Sequence, residues 1–106
     1  MSDAARIRAL NDAARHTLTG CRVLLTSGVQ ASGRLPEVLA AVRSFDDFNG
    51  DNDPHSEHDF GGVEIFGLRL FWKFDYFDPD LTDGSPDPSD PAVTVRVLTI
   101  MLAAEY

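Results

Sequence analysis

Apolar residues recur at spacings of three and four near the start of the chain, where Ile7, Leu10, Ala14 and Leu18 fall on one line. The spacing predicts a helix over residues 3–18, with Ser2 or Asp3 able to cap it and Gly20 to stop it. CRVLLTS (21–27) is short and branched and ends at Gly28, which predicts a strand. Pro36 suits a helix's first turn, and Val38, Leu39, Val42 and Phe45 line one face of LPEVLAAVRSF. The polar stretch DDFNGDNDPHSEHD (46–59) then has the composition of a loop.

The run FGGVEIFGLRLFWKFDYF (60–77) predicts a β-hairpin. A tight turn at Phe66-Gly67 pairs Ile65 with Leu68, Glu64 with Arg69, Gly62 with Phe71 and Gly61 with Trp72. That register opposes unlike charges and lays bulky rings over glycines that have no side chain of their own. Alternation puts Val63, Ile65, Leu68, Leu70, Trp72, Phe74 and Tyr76 on the core face. The other face carries Phe60, Phe71 and Phe77 among charged residues.

DPDLTDGSPDPSD (78–90) reads as a second loop, and Asp90-Pro91 as an N-cap followed by a first-turn proline. AVTVRVLTIMLAAEY is dense in Val and Thr, yet Val93, Val97, Ile100, Met101 and Ala104 form a helical stripe and alternation breaks at Val97-Leu98. The expectation is a helix. The predicted order is α-β-α-β-β-α, a single α+β domain over residues 1–106, with a small antiparallel sheet of about three strands and helices on one face.

Composition narrows the function classes. At 43% hydrophobic and 25% charged, the chain is an ordinary globular protein rather than a disordered one. It shows no apolar run long enough for a membrane span and no secretory signal, and Cys21 is its single cysteine, so the expected location is the cytoplasm. The net charge of −8 is concentrated: residues 46–90 carry thirteen acidic side chains against Arg69 and Lys73, whereas residues 1–45 carry six Arg against three acids. Such a midsection repels nucleic acid.

The acidic segments fit no metal template. Counted from Asp46, an EF-hand loop would have Glu57 at its last position, but Phe48, Gly50 and Asp51 occupy the wrong places. Counted from Asp78, Thr82, Asp83 and Ser89 fail likewise. His55, Glu57, His58 and Asp59 form an H-x-E-H-D cluster on a loop, a conceivable metal set without the helical H-E-x-x-H spacing. Glu64 and Asp75 lie in strands with no nucleophile or His at a diagnostic spacing, and Cys21 reads as a small core residue. No phosphate-binding or dinucleotide motif occurs. No catalytic, cofactor-binding or metal-binding residue is assigned.

Two unusual runs, D-N-D-P…E-H-D-F-G (Asp51, Asp53, Pro54, Glu57, His58, Asp59, Phe60, Gly61) and S-P-D-P-x-D-P (Ser85, Pro86, Asp87, Pro88, Asp90, Pro91), together with TLTGCRVLLTSGV and FWKFDYFD, resemble a bacterial family of unknown function, number 3768 among domain families. The resemblance covers roughly residues 10–106. It implies a setting on plasmid- or phage-type elements and supplies no catalytic residues.

The resulting expectation is a non-enzymatic acidic binding protein of a mobile genetic element, an anti-defence inhibitor of the anti-CRISPR or anti-restriction kind. It would mimic DNA and occupy the basic nucleic-acid-binding surface of a host protein complex. The expected partner-binding residues are Asp46, Asp47, Asp51, Asp53, Glu57, Asp59, Asp78, Asp80, Asp83, Phe60, Phe71 and Phe77. Contact with nucleic acid or membrane is not expected. The alternatives are a metal-binding module or metal-dependent hydrolase on the His55–Asp59 cluster, and a homodimeric accessory protein joined through the sheet face or edge.

Overall fold

Ser2 caps the first helix, its Oγ accepting from the backbone N–H of Ala5 at 3.1 Å, in a computed structural model that describes residues 2–106. This helix, α1 (Asp3–Thr17), ends where Leu18 turns left-handed at φ 57° and its N–H bonds the Ala14 carbonyl. Strand β1 (Arg22–Leu25) follows, then a five-residue helix α2 (Ser27–Ala31) and α3 (Leu35–Arg43), which has Pro36 in its first turn. After the first acidic loop come β2 (Phe60–Ile65) and β3 (Leu68–Phe77).

The hairpin keeps the predicted register: Ile65 opposes Leu68, Glu64 opposes Arg69, Gly62 opposes Phe71 and Gly61 opposes Trp72. Phe66 and Gly67 both take positive φ, 47° and 77°, as a two-residue turn with the right twist requires. Gly61 has a steric reason as well. A Cβ there would sit 2.5 Å from Trp72 Nε1.

The C-terminal segment is a strand and not the expected helix. Asp90 does cap, accepting from the Ala92 N–H, but only one 3-10 turn (Pro91–Val93) follows before β4 (Val95–Leu102). β4 pairs in parallel with β1 and antiparallel with β3, giving four mixed strands in the order β1-β4-β3-β2 rather than about three antiparallel ones. As an inner strand it is covered on both faces: Leu98 and Ile100 face the helices, Val97 and Met101 face away, and all four are buried. Alternation therefore fails for the reason that makes inner strands apolar throughout. Two sets of ladder hydrogen bonds override the weak helical stripe.

The helices cover one face. Trp72, Leu70, Leu98 and Ile100 of the sheet and Val29, Val38 and Val42 of α2 and α3 are fully buried together, each side chain contributing about 1.5–3 kcal/mol. The short α2 was not expected, yet it places Val29 in that core. Its start is tied to the C-terminus by Glu105, whose carboxylate accepts from Thr26 Oγ1 at 2.6 Å, Leu102 N at 2.9 Å and Gly28 N at 3.0 Å. Among the described residues no helix is long and apolar enough to cross a membrane.

Candidate functional site

β2 and β4 begin, and β3 ends, at the same end of the sheet, because Phe60 opposes Lys73 and Phe77 opposes Val95. Both acidic loops, residues 44–59 and 78–90, are therefore anchored at that one end. Their tips are built from polar side chains that satisfy backbone groups. Asn49 Oδ1 accepts from the N–H groups of Asp51 and Asn52 at 2.8 and 3.1 Å, and Asn52 Nδ2 donates to the Asp47 carbonyl at 2.7 Å. In the second loop Asp78 accepts from Thr82 N at 3.1 Å, and Asp87 accepts from Ser89 N and Oγ at 3.1 and 2.6 Å. Those contacts hold the Asp87 carboxyl below the usual carboxylate range.

The inner side of the first loop is packed. Phe48 stacks on His58 with ring centroids 3.6 Å apart and meets Phe45 edge-on at 5.0 Å. His58 Nδ1 lies 2.8 Å from Asp12 Oδ1, and its Nε2 lies 3.6 Å from Asp53 Oδ2. Asp53 is buried and accepts from the His58 backbone N–H at 3.0 Å. Glu57 turns toward the fold, accepting from the Tyr76 hydroxyl at 3.2 Å. Asp59 is half-buried, and that burial pushes its carboxyl above the usual range.

The expected partner-binding residues thus divide. Asp46, Asp47, Asp51, Asp80 and Asp83 are exposed and enter no ion pair among the described residues; Asp78 is half-exposed and likewise unpaired. Asp53 and Glu57 turn inward to fasten the loop, and Asp59 is held through its backbone carbonyl, which accepts from Phe74 N at 2.9 Å. Phe60 and Phe71 meet at 5.2 Å under the C-terminal Tyr106, 6.0 and 5.5 Å away. Phe77 lies apart from them, with Leu24, Val97 and Leu81 around a shallow cleft of about 250 Å³. The intervening surface carries the Lys73–Asp75 pair at 3.1 Å. The aromatic residues therefore form two patches.

The His55–Asp59 cluster does not converge. His55 is exposed and His58 is inserted between Asp12 and Asp53. Among the described residues no three His, Cys, Asp or Glu side chains are grouped to hold a metal ion. Cys21 is half-buried and burial pushes its thiol up, away from thiolate chemistry.

A buried polar network beneath α1 was not anticipated. Arg15, 1% exposed, donates from Nη1 to the carbonyls of Val42 and Phe45 at 2.9 and 2.8 Å and from Nη2 to Asp12 at 3.2 Å. Its guanidinium carbon lies 4.9 Å from the Trp72 ring centroid and 5.5 Å from that of Phe48. Asn11, fully buried, donates to the Glu57 carbonyl and the Tyr76 hydroxyl and accepts from Arg96 Nε. Burial pushes the Tyr76 hydroxyl well above its ordinary value. One signal for this network lay in α1: Asn11 and Arg15 continue the apolar line of Ile7, Ala14 and Leu18 at spacings of three and four. Polar residues on a buried stripe imply buried partners.

Neither a curated protein nor a solved structure matches the chain. One family model, described as "Protein of unknown function (DUF3768)", matches residues 25–105, a span that includes both acidic loops and the β2–β3–β4 part of the sheet. The chain belongs to this family of proteins of unknown function.

Proposed function

We propose that this chain is a non-enzymatic binding protein whose acidic end docks on the basic, nucleic-acid-binding surface of a host protein complex, acting as an anti-defence inhibitor of the anti-CRISPR or anti-restriction kind. One observation carries the reading: Asp46, Asp47, Asp51, Asp80 and Asp83 are exposed and unpaired among the described residues, the first three on a loop held by Asp53, His58, Asn49 and Asn52 and the last two on a loop held by Asp78 and Thr82. Carboxylates on held loops lose little freedom on binding, so more of their attraction appears as affinity. A surface bearing like charges at one end also steers an oppositely charged partner into encounter.

The test is affinity capture from the native host with the wild type and with a variant carrying Asp46, Asp47, Asp51, Asp80 and Asp83 all changed to Lys. The reading expects a nucleic-acid-handling complex on the wild type only, displaced by that complex's own nucleic acid. Equal capture by the folded variant, or capture untouched by nucleic acid, removes it. A homodimer is a second reading, favoured by the edge position of β1 and the 53% exposure of Leu24. Light scattering that returns a monomer mass eliminates it.

A further inference from the structure

Arg96 is the only charged residue on the helix-facing side of β4, where Leu98, Ile100 and Leu102 are its companions. It is 5% exposed. Its guanidinium carbon lies 5.2 Å from the Tyr76 ring centroid, its Nε donates to Asn11 Oδ1 at 2.8 Å, and its Nη2 donates to the Pro88 carbonyl. No carboxylate pairs with it among the described residues. Its Nη1 makes no hydrogen bond there either, and it is not among the buried atoms sealed without a partner. A desolvated cation without a countercharge is costly to keep, and burial accordingly pulls its pKa down.

Arg96 lines a cleft of about 580 Å³ between the C-terminal half of α1 and the entry to β4, within the size range of small-molecule sites. Leu10, Ala13, Ala14 and Pro91 supply apolar walls. The hydroxyls of the cleft are already committed: Thr17 Oγ1 donates to the Ala13 carbonyl and Thr94 Oγ1 to the Asp87 carbonyl, each at 2.8 Å, and Thr19 Oγ1 shares a hydrogen bond with Thr17 Oγ1 at 2.7 Å. One cationic anchor therefore faces apolar walls and hydroxyls engaged elsewhere. A bare anion fits poorly, since the negative end of the α1 dipole lies here and the chain carries −8 overall. An anion needs an apolar body to reside in such a place, and its burial against the walls then supplies the rest of the attraction.

We propose that this cleft binds a small monocarboxylate with an apolar body, an aryl or alkyl acid. Its carboxylate sits on Arg96 Nη1 and its body lies against Leu10, Ala13, Ala14 and Pro91. The proposal is independent of the acidic end, and the variant with five Asp→Lys changes should bind the same acid.

The experiment is a titration of the isotope-labelled full chain followed by NMR, with benzoate as the acid, benzamide as its neutral isostere and inorganic phosphate as the bare anion, all at one ionic strength. Saturable shifts with benzoate at Ala13, Ala14, Thr94 and the Arg96 Nε–H are expected. Benzamide should bind at least about tenfold more weakly, the loss of one charged contact, and phosphate should leave these signals unmoved. Arg96→Met should abolish the benzoate shifts while circular dichroism reports a folded chain. If that variant unfolds, the comparison of benzoate with benzamide on the wild type still decides. The proposal is overturned by absence of saturation to about 10 mM, by benzamide binding equally, by phosphate matching benzoate, or by shifts confined elsewhere.

Discussion

His58 Nδ1 lies 2.8 Å from Oδ1 of Asp12, a contact that joins the first acidic loop to α1 across 46 positions of sequence. The same carboxylate oxygen takes Arg15 Nη2 at 3.2 Å, and Arg15 Nη1 holds the carbonyls of Val42 and Phe45 where α3 gives way to that loop. Asp12 and Arg15 thus clamp the loop near both of its ends. The acidic surface is as well defined as this clamp.

Removing Arg15 should cost more than removing Asp12. Arg15→Leu strands two buried carbonyls, at about 1–3 kcal/mol each, and takes the guanidinium off the Trp72 and Phe48 rings. Asp12→Ala leaves Arg15 its two carbonyl acceptors and should cost about 1–3 kcal/mol. Urea unfolding of both variants, with exposed His16→Ala as a control near zero, checks the order.

Adjacent glycines of β2 should respond unequally. A Cβ on Gly61 would meet the buried Trp72 ring at 2.5–2.7 Å, whereas one on Gly62 would meet the half-buried Phe71 ring at 3.2 Å, a smaller overlap. Gly61→Ala is expected to lose about 1–3 kcal/mol by overpacking, and Gly62→Ala distinctly less. Thermal melts of the two variants, with near-ultraviolet circular dichroism of the single tryptophan, make the comparison.

At the hairpin tip the native residue is not the best one. Phe66 holds φ 47° and is 64% exposed, with Arg34 stacked 4.0 Å from its ring centroid. Asn tolerates this backbone better than an aromatic residue, so Phe66→Asn should stabilise by several tenths of a kcal/mol, offset in part by the lost Arg34 contact. Gly67→Ala, at φ 77°, should destabilise by roughly 1 kcal/mol. Opposite shifts of Tm are the expected outcome.

Two carboxyls should give opposite pH dependences. Burial raises Asp59 in the fold above its ordinary 3.8, so its ionised form costs stability at neutral pH and the cost fades as pH falls through the raised value. Asp59→Asn should therefore be more stable than the wild type at pH 7, the gap closing in acid. Thr26 and Leu102 hold Glu105 below its ordinary 4.5, so its contribution is present above that value and is lost as pH falls through the lowered one. Glu105→Gln should be less stable at pH 7, again converging in acid. Denaturation curves at pH 7 and near pH 3 read both signs.

The hairpin was legible because its information is local: eighteen consecutive residues carry the turn, the alternation and the glycine–ring pairs that select one register. The stripe of α1 was equally plain, and Ser2 caps it as expected. β4 was obscured by its place in the sheet. A strand buried on both faces shows no alternation, and its partner β1 lies some seventy residues upstream. Within the acidic loop, Asp51 and Asp53 are two residues apart and chemically alike, yet one is exposed and the other buried against His58. Composition cannot separate them, since the distinction comes from where Asp12 of α1 and the stacked Phe48 place His58.

If the paired-off inner residues hold the outer carboxylates ready for a basic partner, affinity for the complex captured from the host must depend on salt. Log K should fall linearly with log salt, with a slope that rises with the number of carboxylates engaged, and changing Asp46, Asp47, Asp51, Asp80 and Asp83 to Lys should abolish binding with the fold intact. Affinity that stays level across salt, or survives that charge reversal, would contradict this reading.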